Sequence, residues 1–381
     1  MPIETKLPGV GTTIFTVMSQ LAAEHKAVNL GQGFPDYDPP ALLQDALARA
    51  MHGGHNQYAP MIGIARLREQ IALKTERLYG RRASADTEIT VTAGATEALF
   101  AAIACAVRTG DEVIVLDPCY DSYQPAIDLQ GARAVHVPLN LPDFSVDWQR
   151  VADAITTRTR MIVVNSPHNP SGAVFSSADL DALAALVQRH GLWVLSDEVY
   201  EHMVYDGARH ESVLRHPLLA ERSFVISSFG KTYHCTGWKV GYCVAAKALT
   251  AEFRKVHQYL TFCVFQPAQW AFAEMLEQAP QHYLDLPAFY QAKRDAFRAS
   301  LARTRLQLLP VPGGYFQLVD YSAIRDVDDV NFADWLVREA GVAAIPLSPF
   351  YETPPDTRLL RLCFAKHEAT LDAAVERLCK L

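Results

Sequence analysis

The sequence predicts an α/β protein with an open, mostly parallel sheet and helices on both of its faces. Two observations predict this class. Short runs rich in Val and Ile recur through the middle of the chain, as is typical of strands buried on both sides. Several of these runs alternate with longer stretches of helical period. The predicted strands are residues 88–92, 112–117, 132–138, 161–165, 192–196, 224–228 and 240–245.

The other elements follow from the same reading of the chain. The first forty residues, with GQGFPDYDPP, are rich in Gly and Pro, and we expect them to be irregular. Helical patterns at 96–108 and 178–190 lie between predicted strands. After about residue 285 a long helix (286–304) precedes the strand-like segments PVPGGYFQLVDY, VAAIPLSPFY and RLLRLCFAKH, and a last helix covers 368–381. We therefore predict an N-terminal arm with part of the small domain (1–44), a large domain (45–284) and a small α+β domain (285–381).

Composition is that of an ordinary soluble enzyme and argues against several classes of protein. Half of the 381 residues are hydrophobic and a fifth are charged, which permits a large core without disulfides. The formal net charge of −7 leaves no basic surface for nucleic acid. The longest apolar run, 98–107, is too short to span a bilayer, and no leader pattern is visible at the start. We expect neither nucleic acid nor membrane among the partners.

The seven cysteines predict a reducing compartment. Their number is odd, they form no C-x-x-C pair, and several lie within apolar runs. This pattern is typical of reduced cysteines, and it fits neither a disulfide framework nor a zinc site. We predict a cytoplasmic protein without a metal.

Two short glycine motifs fail the spacing tests of nucleotide-binding loops. GKT at 230–232 would need a glycine five residues before Gly230, and that position is Val225. GQG at 31–33 would need a third glycine where the chain has Asp36. Lys231, inside GKT, therefore needs another interpretation.

Several polar residues follow predicted strands, where ligands bind in open α/β sheets. Lys231 comes just after one strand, and a lysine of lowered pKa can form an imine with a carbonyl group. Asp197 ends the run GLWVLSDEVY and would suit a cationic ring nitrogen, with Tyr200 three residues further on. Asn169 lies in NSPHNPSG, whose prolines and glycine indicate a turn. Taken singly, an exposed lysine, a solvated acid and a structural turn explain these residues at least as well.

Two further features suit anionic groups. TAGATEALF (92–100) runs from a strand through Gly94 into a helix, whose first N–H groups, at Ala95 and Thr96, favour a phosphate. A simple helix cap is the competing interpretation. Arg361 in RLLRLCFA is a natural fork for a carboxylate, with Arg358 as its competitor. Residues three apart on a strand point to opposite faces, so only one of the two should face the site.

Together these are the parts needed to hold pyridoxal 5'-phosphate (PLP) and an amino acid. They comprise a phosphate seat, an acid for the ring nitrogen, a phenol and an amide for the ring oxygen, a lysine and a carboxylate clamp. In PLP enzymes the cofactor supplies the electron sink, and the protein supplies orientation and electronics.

The motifs AGATEA, NSPHNPSG, SDEVYE, SSFGKTYHCTGWKVGY and RLCFAK, in this order, resemble the class I/II aminotransferases of PLP fold type I. The resemblance covers nearly the whole chain and is greatest to the methionine and kynurenine/glutamine aminotransferase branch, which NLGQGFPDY, HQYLTF and GVAAIPLSPF also resemble. It implies a large PLP-binding domain with a mostly parallel seven-stranded sheet, a smaller α+β domain, and a homodimer with shared active sites.

The resemblance also implies roles for residues around the cofactor. Lys231 would bind PLP covalently, Asp197 would pair with the pyridinium nitrogen, and Tyr120 would stack on the ring. Tyr200 and Asn169 would contact the ring oxygen, and Asn165 would lie near cofactor and substrate. The implied phosphate ligands are Gly94, Ala95, Thr96, Ser228 and Lys239. Many aminotransferases have arginine at the last of these positions, and lysine contacts phosphate as a point charge.

Other implied residues face the substrate. Arg361 would clamp the α-carboxylate, with help from Asn169 and the backbone near Gly33. Phe15 would lie in the substrate pocket. Tyr58 and Phe262 would reach into the neighbouring subunit's site, Tyr58 as a contact of the cofactor and Phe262 as a contact of the substrate.

The implied reaction is reversible, ping-pong transamination from an amino acid to a 2-oxo acid. Lys231 would also carry the α-proton, a general-base role typically worth about 10²–10⁴-fold. The implied donors are methionine and aromatic or other large uncharged amino acids, since no motif places a second arginine against a side-chain carboxylate.

Two alternatives stay open. One is β-elimination from cysteine conjugates on the same fold, which uses the same lysine and acid. The other is a non-catalytic sensor module of a regulator. The latter would need an added DNA-binding domain of about 50 residues or more, for which we see no room before the aminotransferase-like pattern.

Overall fold

The structure is a computed structural model that describes residues 3–381. The α-helices are α1 Ile14–Glu24, α2 Ala41–His52, α3 Ala65–Tyr79, α4 Gly94–Ala106, α5 Tyr123–Asp128, α6 Trp148–Asp153, α7 Ser177–His190, α8 Pro217–Arg222, α9 Phe229–Thr232, α10 Lys247–Leu260, α11 Gln266–Gln278, α12 Gln281–Leu301, α13 Asp329–Trp335 and α14 Glu368–Leu378. The strands are β1 Val28–Asn29, β2 Ile89–Thr92, β3 Glu112–Asp117, β4 Arg133–Pro138, β5 Thr159–Asn165, β6 Trp193–Asp197, β7 Ser223–Ser228, β8 Gly241–Ala245, β9 Gln307–Leu308, β10 Phe316–Asp320, β11 Val342–Ala343, β12 Ile345–Pro346 and β13 Leu359–Cys363. Short 3₁₀ turns lie at Val213–Arg215, Thr236–Trp238 and Ser348–Phe350, and a π turn at Leu336–Ala340.

A seven-stranded sheet organises the larger part of the molecule. Its order is β2-β8-β7-β6-β5-β3-β4, and β8 alone runs antiparallel to its neighbours. All seven strands predicted from the sequence are present, and none of their ends shifts by more than two residues. The register pairs Asn165 with Asp197 and Ser228 with Gly241. Polar residues from separate strands therefore meet at one edge of the sheet.

Helices cover both faces of this sheet. Along β5, Met161 and Val163 join the core beneath α4 and α10, whereas Ile162 and Val164 join the larger core on the opposite side. This alternation follows from the two-residue period of a strand. Burying each such side chain on folding contributes roughly 1.5–3 kcal/mol.

A second, antiparallel sheet has the order β12-β13-β10-β9. The N-terminal segment joins this region, because β1 pairs with β11 through Val28–Val342 and Asn29–Ala343. The fold class predicted from the sequence, α/β with a mostly parallel seven-stranded sheet and a smaller α+β region, is confirmed. The boundaries at residues 44 and 284 stay predictions.

The expectation that the first forty residues are irregular is wrong for residues 14–24. They form α1, which Thr13 caps by accepting a hydrogen bond from the Thr16 N–H. Met18 and Ala22 bury one face of the helix. The signal was present as an N-cap threonine followed by apolar residues in helical period, but the flanking Gly and Pro obscured it.

None of the helices in residues 3–381 combines the length and the apolar character that crossing a membrane requires.

Candidate active site

A cavity of about 230 Å³ opens at the carboxyl edge of the large sheet, where the smaller sheet faces it. Most of the residues predicted for the site line this cavity. They are Phe15, Gly33, Gly94, Ala95, Thr96, Tyr120, Asn165, Asn169, Asp197, Tyr200, Ser228, Lys231, Lys239 and Arg361. Gln32, Leu99, Val199, Thr236, Val240 and Phe316 also line it and were not predicted.

One end of the cavity is a cradle for an anion. The first N–H groups of a helix have no partner within the helix. Helix α4 begins at Gly94 without a hydrogen bond from a capping side chain, so its first N–H groups remain available to a ligand. Gly94 has a φ of +79°, which favours glycine, and a Cβ there would lie 3.3 Å from Lys239 Nζ and crowd this space. Gly241 matters likewise, because a Cβ there would lie 3.0 Å from the Ala95 nitrogen. A positive helix end and an ammonium group thus face the same small space, which suits a phosphate.

Lys231 lies in α9, just past the end of β7. Its Nζ donates hydrogen bonds to the Gly33 carbonyl and to the Tyr315 hydroxyl, each at 2.9 Å. Burial lowers the pKa of Lys231 to about 8, and the positive charges of Arg361 and Lys239 act in the same direction. An amine of this pKa is partly neutral near physiological pH and can attack a carbonyl carbon.

Asp197 ends β6 and is buried. Its Oδ2 accepts a hydrogen bond from the Tyr123 hydroxyl at 2.8 Å, and its backbone carbonyl accepts one from Asn165 Nδ2 at 2.8 Å. Burial raises the pKa of Asp197 to about 6, against the effect of the Tyr123 hydrogen bond. A buried carboxylate of this kind gains most from a cationic partner placed beside it.

Arg361 lies on β13 with its guanidinium buried among aromatic rings. Nη1 donates to Asn169 Oδ1 at 2.8 Å and Nη2 to the Gly31 carbonyl at 2.9 Å. Its Nε is buried without a hydrogen-bond partner in the described residues, so donor capacity remains for a ligand. The ring of Phe316 lies 4.0 Å from the guanidinium carbon. This is a fixed, desolvated fork, which suits a carboxylate.

Arg358, the competitor of Arg361, lies elsewhere. It pairs with Asp326 at 2.9 Å and with Asp356 at 2.9 Å, and it does not line the cavity. Only Arg361 faces the site. The reason is not strand alternation, because Arg358 precedes β13 and has a left-handed φ of +54°.

Tyr58 and Phe262 do not line the cavity of their own chain. They form an edge-to-face pair with ring centres 5.3 Å apart, and they are 79% and 41% exposed. Their predicted place in a neighbouring subunit's site stays a prediction.

Sequence reasoning missed the polar contacts that hold the site residues in place. Tyr315 contacts Lys231, and Tyr123 contacts Asp197. Tyr123 lies three residues after Tyr120, but nothing in PCYDSY indicates which phenol turns toward the acid. Tyr315 follows two glycines and directly precedes β10, and only the three-dimensional structure brings it to α9.

Asp117, Cys119 and His136 form a polar cluster behind Tyr120, with potential ligand atoms within 4.8 Å of one another. His136 Nδ1 lies 2.7 Å from Asp117 Oδ1 and Nε2 lies 2.6 Å from Gln124 Oε1. Both ring nitrogens therefore already have hydrogen-bond partners, and these contacts explain the cluster without a metal.

Comparison with known proteins agrees with this geometry. The sequence model of the family described as aminotransferase class I and II matches residues 25–378. The chain belongs to this family. Members of the family depend on PLP and convert an amino acid and a 2-oxo acid. The chain is therefore an aminotransferase, with the PLP fold type I.

Curated relatives match this aminotransferase over almost its full length. Methionine aminotransferase of Escherichia coli K12 is 57% identical over 378 residues, which are 99% of this chain and 98% of the relative. Kynurenine–oxoglutarate transaminase 1 of Homo sapiens is 34% identical, over 98% of this chain and 97% of the relative. These relatives are named for transamination, and the comparisons do not favour the elimination alternative.

Solved structures of the aminotransferase fold superpose closely. An E. coli structure described as identifying a methionine aminotransferase function has a TM-score of 0.98 at 57% identity, with 100% of both chains covered. Aspartate aminotransferase of Thermus thermophilus with maleate has a TM-score of 0.91 at 33% identity, over 100% of this chain and 99% of that chain.

The residues present fit PLP. The open space that Gly94 leaves beside Lys239 accommodates an anion, and the buried carboxylate of Asp197 would gain a cationic partner in a pyridinium ring.

Proposed function

We propose that this aminotransferase transfers the amino group of methionine and of aromatic or other large uncharged amino acids to a 2-oxo acid. The observation that carries the proposal is the single cavity shared by Lys231, Asp197, the anion cradle and Arg361. These groups match the amine, ring, phosphate and carboxylate chemistry of a cofactor–substrate pair.

Gly94, Ala95, Thr96, Ser228 and Lys239 would hold the phosphate, and Tyr120 would lie against the pyridine ring. Tyr200 and Asn169 would contact the ring oxygen, with Asn165 beside them. When bound, PLP supplies an electron sink that weakens the α-C–H bond of the amino acid.

Lys231 provides the covalent attachment point and then the base. Its lowered pKa keeps part of the amine neutral, so the amine can take the α-proton from the substrate carbon and later return it. Asp197 would favour a protonated ring nitrogen, because its buried carboxylate accepts hydrogen bonds only from the Tyr123 hydroxyl and the Val199 N–H within residues 3–381 and has no cationic partner bonded to it.

Arg361 orients the donor by its α-carboxylate. Asn169 Oδ1 and the Gly31 carbonyl hold the guanidinium in place, and the Gly33 segment borders the same space. An amino acid held by its α-carboxylate presents its α-hydrogen to the cavity. This positioning reduces the translational and rotational entropy that is lost on reaching the transition state.

The preference for large uncharged side chains is supported by the aromatic rings of Phe15 and Phe316, which line the cavity, and of Phe350 next to them. Phe15 and Phe350 pack edge to face at 5.7 Å, and the rings of Phe15, Phe316 and Phe350 surround the guanidinium of Arg361. Among the described residues, the cavity contains no arginine besides Arg361 to pair with a side-chain carboxylate. The name of the E. coli relative points in the same direction.

Initial rates for a panel of amino donors against several 2-oxo acids test this function. Methionine, phenylalanine, tyrosine and glutamine should exceed aspartate and glutamate. Activity confined to the two acidic donors would refute the specificity and leave the family assignment intact. Pyruvate and a thiol as the main products from cysteine conjugates would instead favour elimination.

We also propose that the protein is a homodimer with shared active sites. Tyr58 and Phe262 lie near other exposed apolar side chains of residues 259–265, including Tyr259 and Phe265. Exposed aromatic clusters of this kind mark protein–protein contacts.

Mixing two inactive variants tests the dimer. In a hybrid of Lys231→Ala and Tyr58→Ala chains, one site carries both substitutions and the other carries none. Random exchange should therefore restore about a quarter of all sites in a symmetric dimer. The control is a mixture of Lys231→Ala and Asp197→Ala chains. Both residues line the cavity of their own chain, so every site in the mixed dimer keeps one substitution and no activity should return. Activity that stays at the level of the separate variants would contradict a shared site.

The seven cysteines are all unpaired. This supports the prediction that the protein works in a reducing compartment such as the cytoplasm.

A further inference from the structure

Tyr315 lies in the interior beside Lys231 and has no role in the chemistry described so far. Its side chain is fully buried, and its ring packs edge to face against Tyr200 at 5.1 Å and against Phe316 at 4.8 Å. Its backbone is also held, since its carbonyl accepts a hydrogen bond from the Phe364 N–H at 3.0 Å. These contacts hold the Tyr315 hydroxyl in a fixed position.

The direction of each hydrogen bond at this point follows from the groups involved. The Tyr315 hydroxyl lies 2.5 Å from the Gly33 carbonyl oxygen, which can only accept. The single proton of the hydroxyl is therefore used on Gly33, and the hydroxyl presents lone pairs to Lys231. Lys231 Nζ must donate to both oxygens, at 2.9 Å each.

These two contacts determine the orientation of the lysine nitrogen. In a neutral amine they use both N–H bonds, and Cε occupies the third tetrahedral direction. The remaining direction carries the lone pair, or the third proton once the amine is an ammonium. No other hydrogen-bond partner of Nζ lies within residues 3–381, and Lys231 itself lines the cavity.

We propose that Tyr315, together with the Gly33 carbonyl, is the positioning residue that holds the free Lys231 amine during proton transfer. The proposal rests on the function proposed above. When the α-C–H bond of the donor breaks, its electron pair stays on the substrate side and the proton forms a new N–H bond at Nζ. The Tyr315 oxygen stabilises the resulting ammonium as a hydrogen-bond acceptor, and it keeps that proton aimed into the cavity until it is returned.

The same contact connects the lysine to the segment at the carboxylate end of the cavity. Gly33 follows Gly31, whose carbonyl accepts from Arg361, and Lys366 Nζ donates to the Phe34 carbonyl at 2.8 Å. Tyr315 and Lys231 both bond the Gly33 carbonyl, so the proton-transfer group is held next to the backbone that would border a bound donor.

Tyr315→Phe is the direct test, because it removes one hydroxyl and keeps the ring contacts with Tyr200 and Phe316. Tyr290→Phe is the matched control. Tyr290 is equally buried with its ring 5.9 Å from that of Tyr315, but its hydroxyl bonds Tyr37 at 2.8 Å and His234 at 3.2 Å and does not contact Lys231. Circular dichroism establishes that both variants fold.

Three readouts separate positioning from a structural role. In Tyr315→Phe the half-reaction with the amino donor should slow by about tenfold or more, as expected for a lost hydrogen bond to a charged group. The isotope effect with α-deuterated donor should rise, while KM changes little. In protein freed of PLP, the pH midpoint for regain of visible absorbance on adding PLP should fall by on the order of one unit, because the ammonium has lost an acceptor. Tyr290→Phe should change none of these.

Equal behaviour of the two variants would overturn the role of Tyr315. A crystal structure of the wild-type protein with pyridoxamine phosphate gives an independent reading. Lys231 Nζ should lie within hydrogen-bond distance of the Tyr315 hydroxyl, and a lysine turned away from it would also overturn the role. If Lys231→Ala retained turnover, the proposed function itself would fail, whereas an inactive Lys231→Ala with an unaffected Tyr315→Phe would refute only this inference.

Discussion

At the scale of single residues, two lysines eight positions apart have distinct environments. Lys231 and Lys239 both come from SSFGKTYHCTGWKVGY, yet Lys231 lies in α9 against Gly33 and Tyr315, and Lys239 follows the turn Thr236–Trp238. Lys239 adopts φ of +53°, in the left-handed region, which directs its chain toward Gly94. In the proposed function, Lys231 would therefore face the reacting carbon and Lys239 would face the phosphate.

Lys239→Ala should weaken retention of PLP more than it slows the chemistry. Loss of a charged contact to phosphate removes about 1.5–3 kcal/mol, or about 10- to 100-fold in affinity. Titration of the apo-protein with PLP measures the change, and turnover at saturating PLP should remain. Lys247→Ala, at the exposed start of α10, is the control. If Lys239→Ala held PLP as tightly as Lys247→Ala, the assignment of Lys239 to the phosphate would be wrong.

At the scale of elements, the sequence predicts strands better than the contacts between them. The seven strands of the large sheet are apolar runs, and recognisable polar residues such as Asp197 and Ser228 end some of them, so the local pattern is enough to predict them. Helix α1 was missed because its local signal is weak next to Gly9, Gly11 and Pro35. The sequence did not indicate roles for Tyr315 and Tyr123, because the residues that they contact, Lys231 and Asp197, lie 84 and 74 positions away. No periodic pattern reports contacts over such separations.

The buried ion pair between α3 and the segment after β6 is an example of such a contact. Lys74 Nζ lies 2.7 Å from Glu201 Oε1 and 2.8 Å from the Tyr242 hydroxyl, and both members of the pair are buried. Burial opposes ionisation of Glu201, but the charge of Lys74 keeps the pKa of Glu201 well below its usual range. Glu201 therefore remains ionised in the core.

Lys74→Met should destabilise the protein by about 3–5 kcal/mol, because Glu201 is left as an uncompensated buried charge. The midpoint of urea unfolding of the PLP-loaded protein measures this. Arg82→Met is the control, since Arg82 and Glu76 form an exposed pair at 3.5 Å that should contribute at most about 1 kcal/mol. Adding Glu201→Gln to Lys74→Met should recover part of the loss. Equal effects of the Lys74 and Arg82 substitutions would contradict a buried, coupled pair.

At the scale of the whole molecule, a polar cluster connects the large sheet to the segment that carries Phe350. Asp117, at the end of β3, accepts a hydrogen bond from His136 on one oxygen and from the Glu352 N–H at 3.0 Å on the other. The Cys119 N–H donates to the Phe350 carbonyl at 2.8 Å. Because Phe350 packs against Phe15 and Arg361, which line the cavity, this cluster supports the cavity from behind those two residues.

The cluster should make stability depend on pH. Burial alone lowers the pKa of His136, but the hydrogen bond and charge of Asp117, with Glu352 and Asp128, raise it above its usual value. A raised pKa in the folded state stabilises the protein fully below the unfolded value of about 6.5, and this contribution is lost as the pH rises through the folded value. The stability difference between wild type and His136→Gln should therefore be largest in mild acid and should shrink above neutral pH. Thermal unfolding over that pH range measures the stability difference, and His190→Gln, at an exposed position, is the control. A stability difference that does not depend on pH would argue against a charged His136.

The central claim is that Lys231 is the residue through which this aminotransferase binds PLP and moves the α-proton. The most direct measurement compares the visible absorbance and the turnover of PLP-saturated wild type and Lys231→Ala. We expect Lys231→Ala to fold and to bind PLP in its cradle, but to lack the absorbance of the covalent adduct and all turnover above background. A Lys231→Ala protein that kept both the absorbance and the turnover of the wild type would contradict the claim.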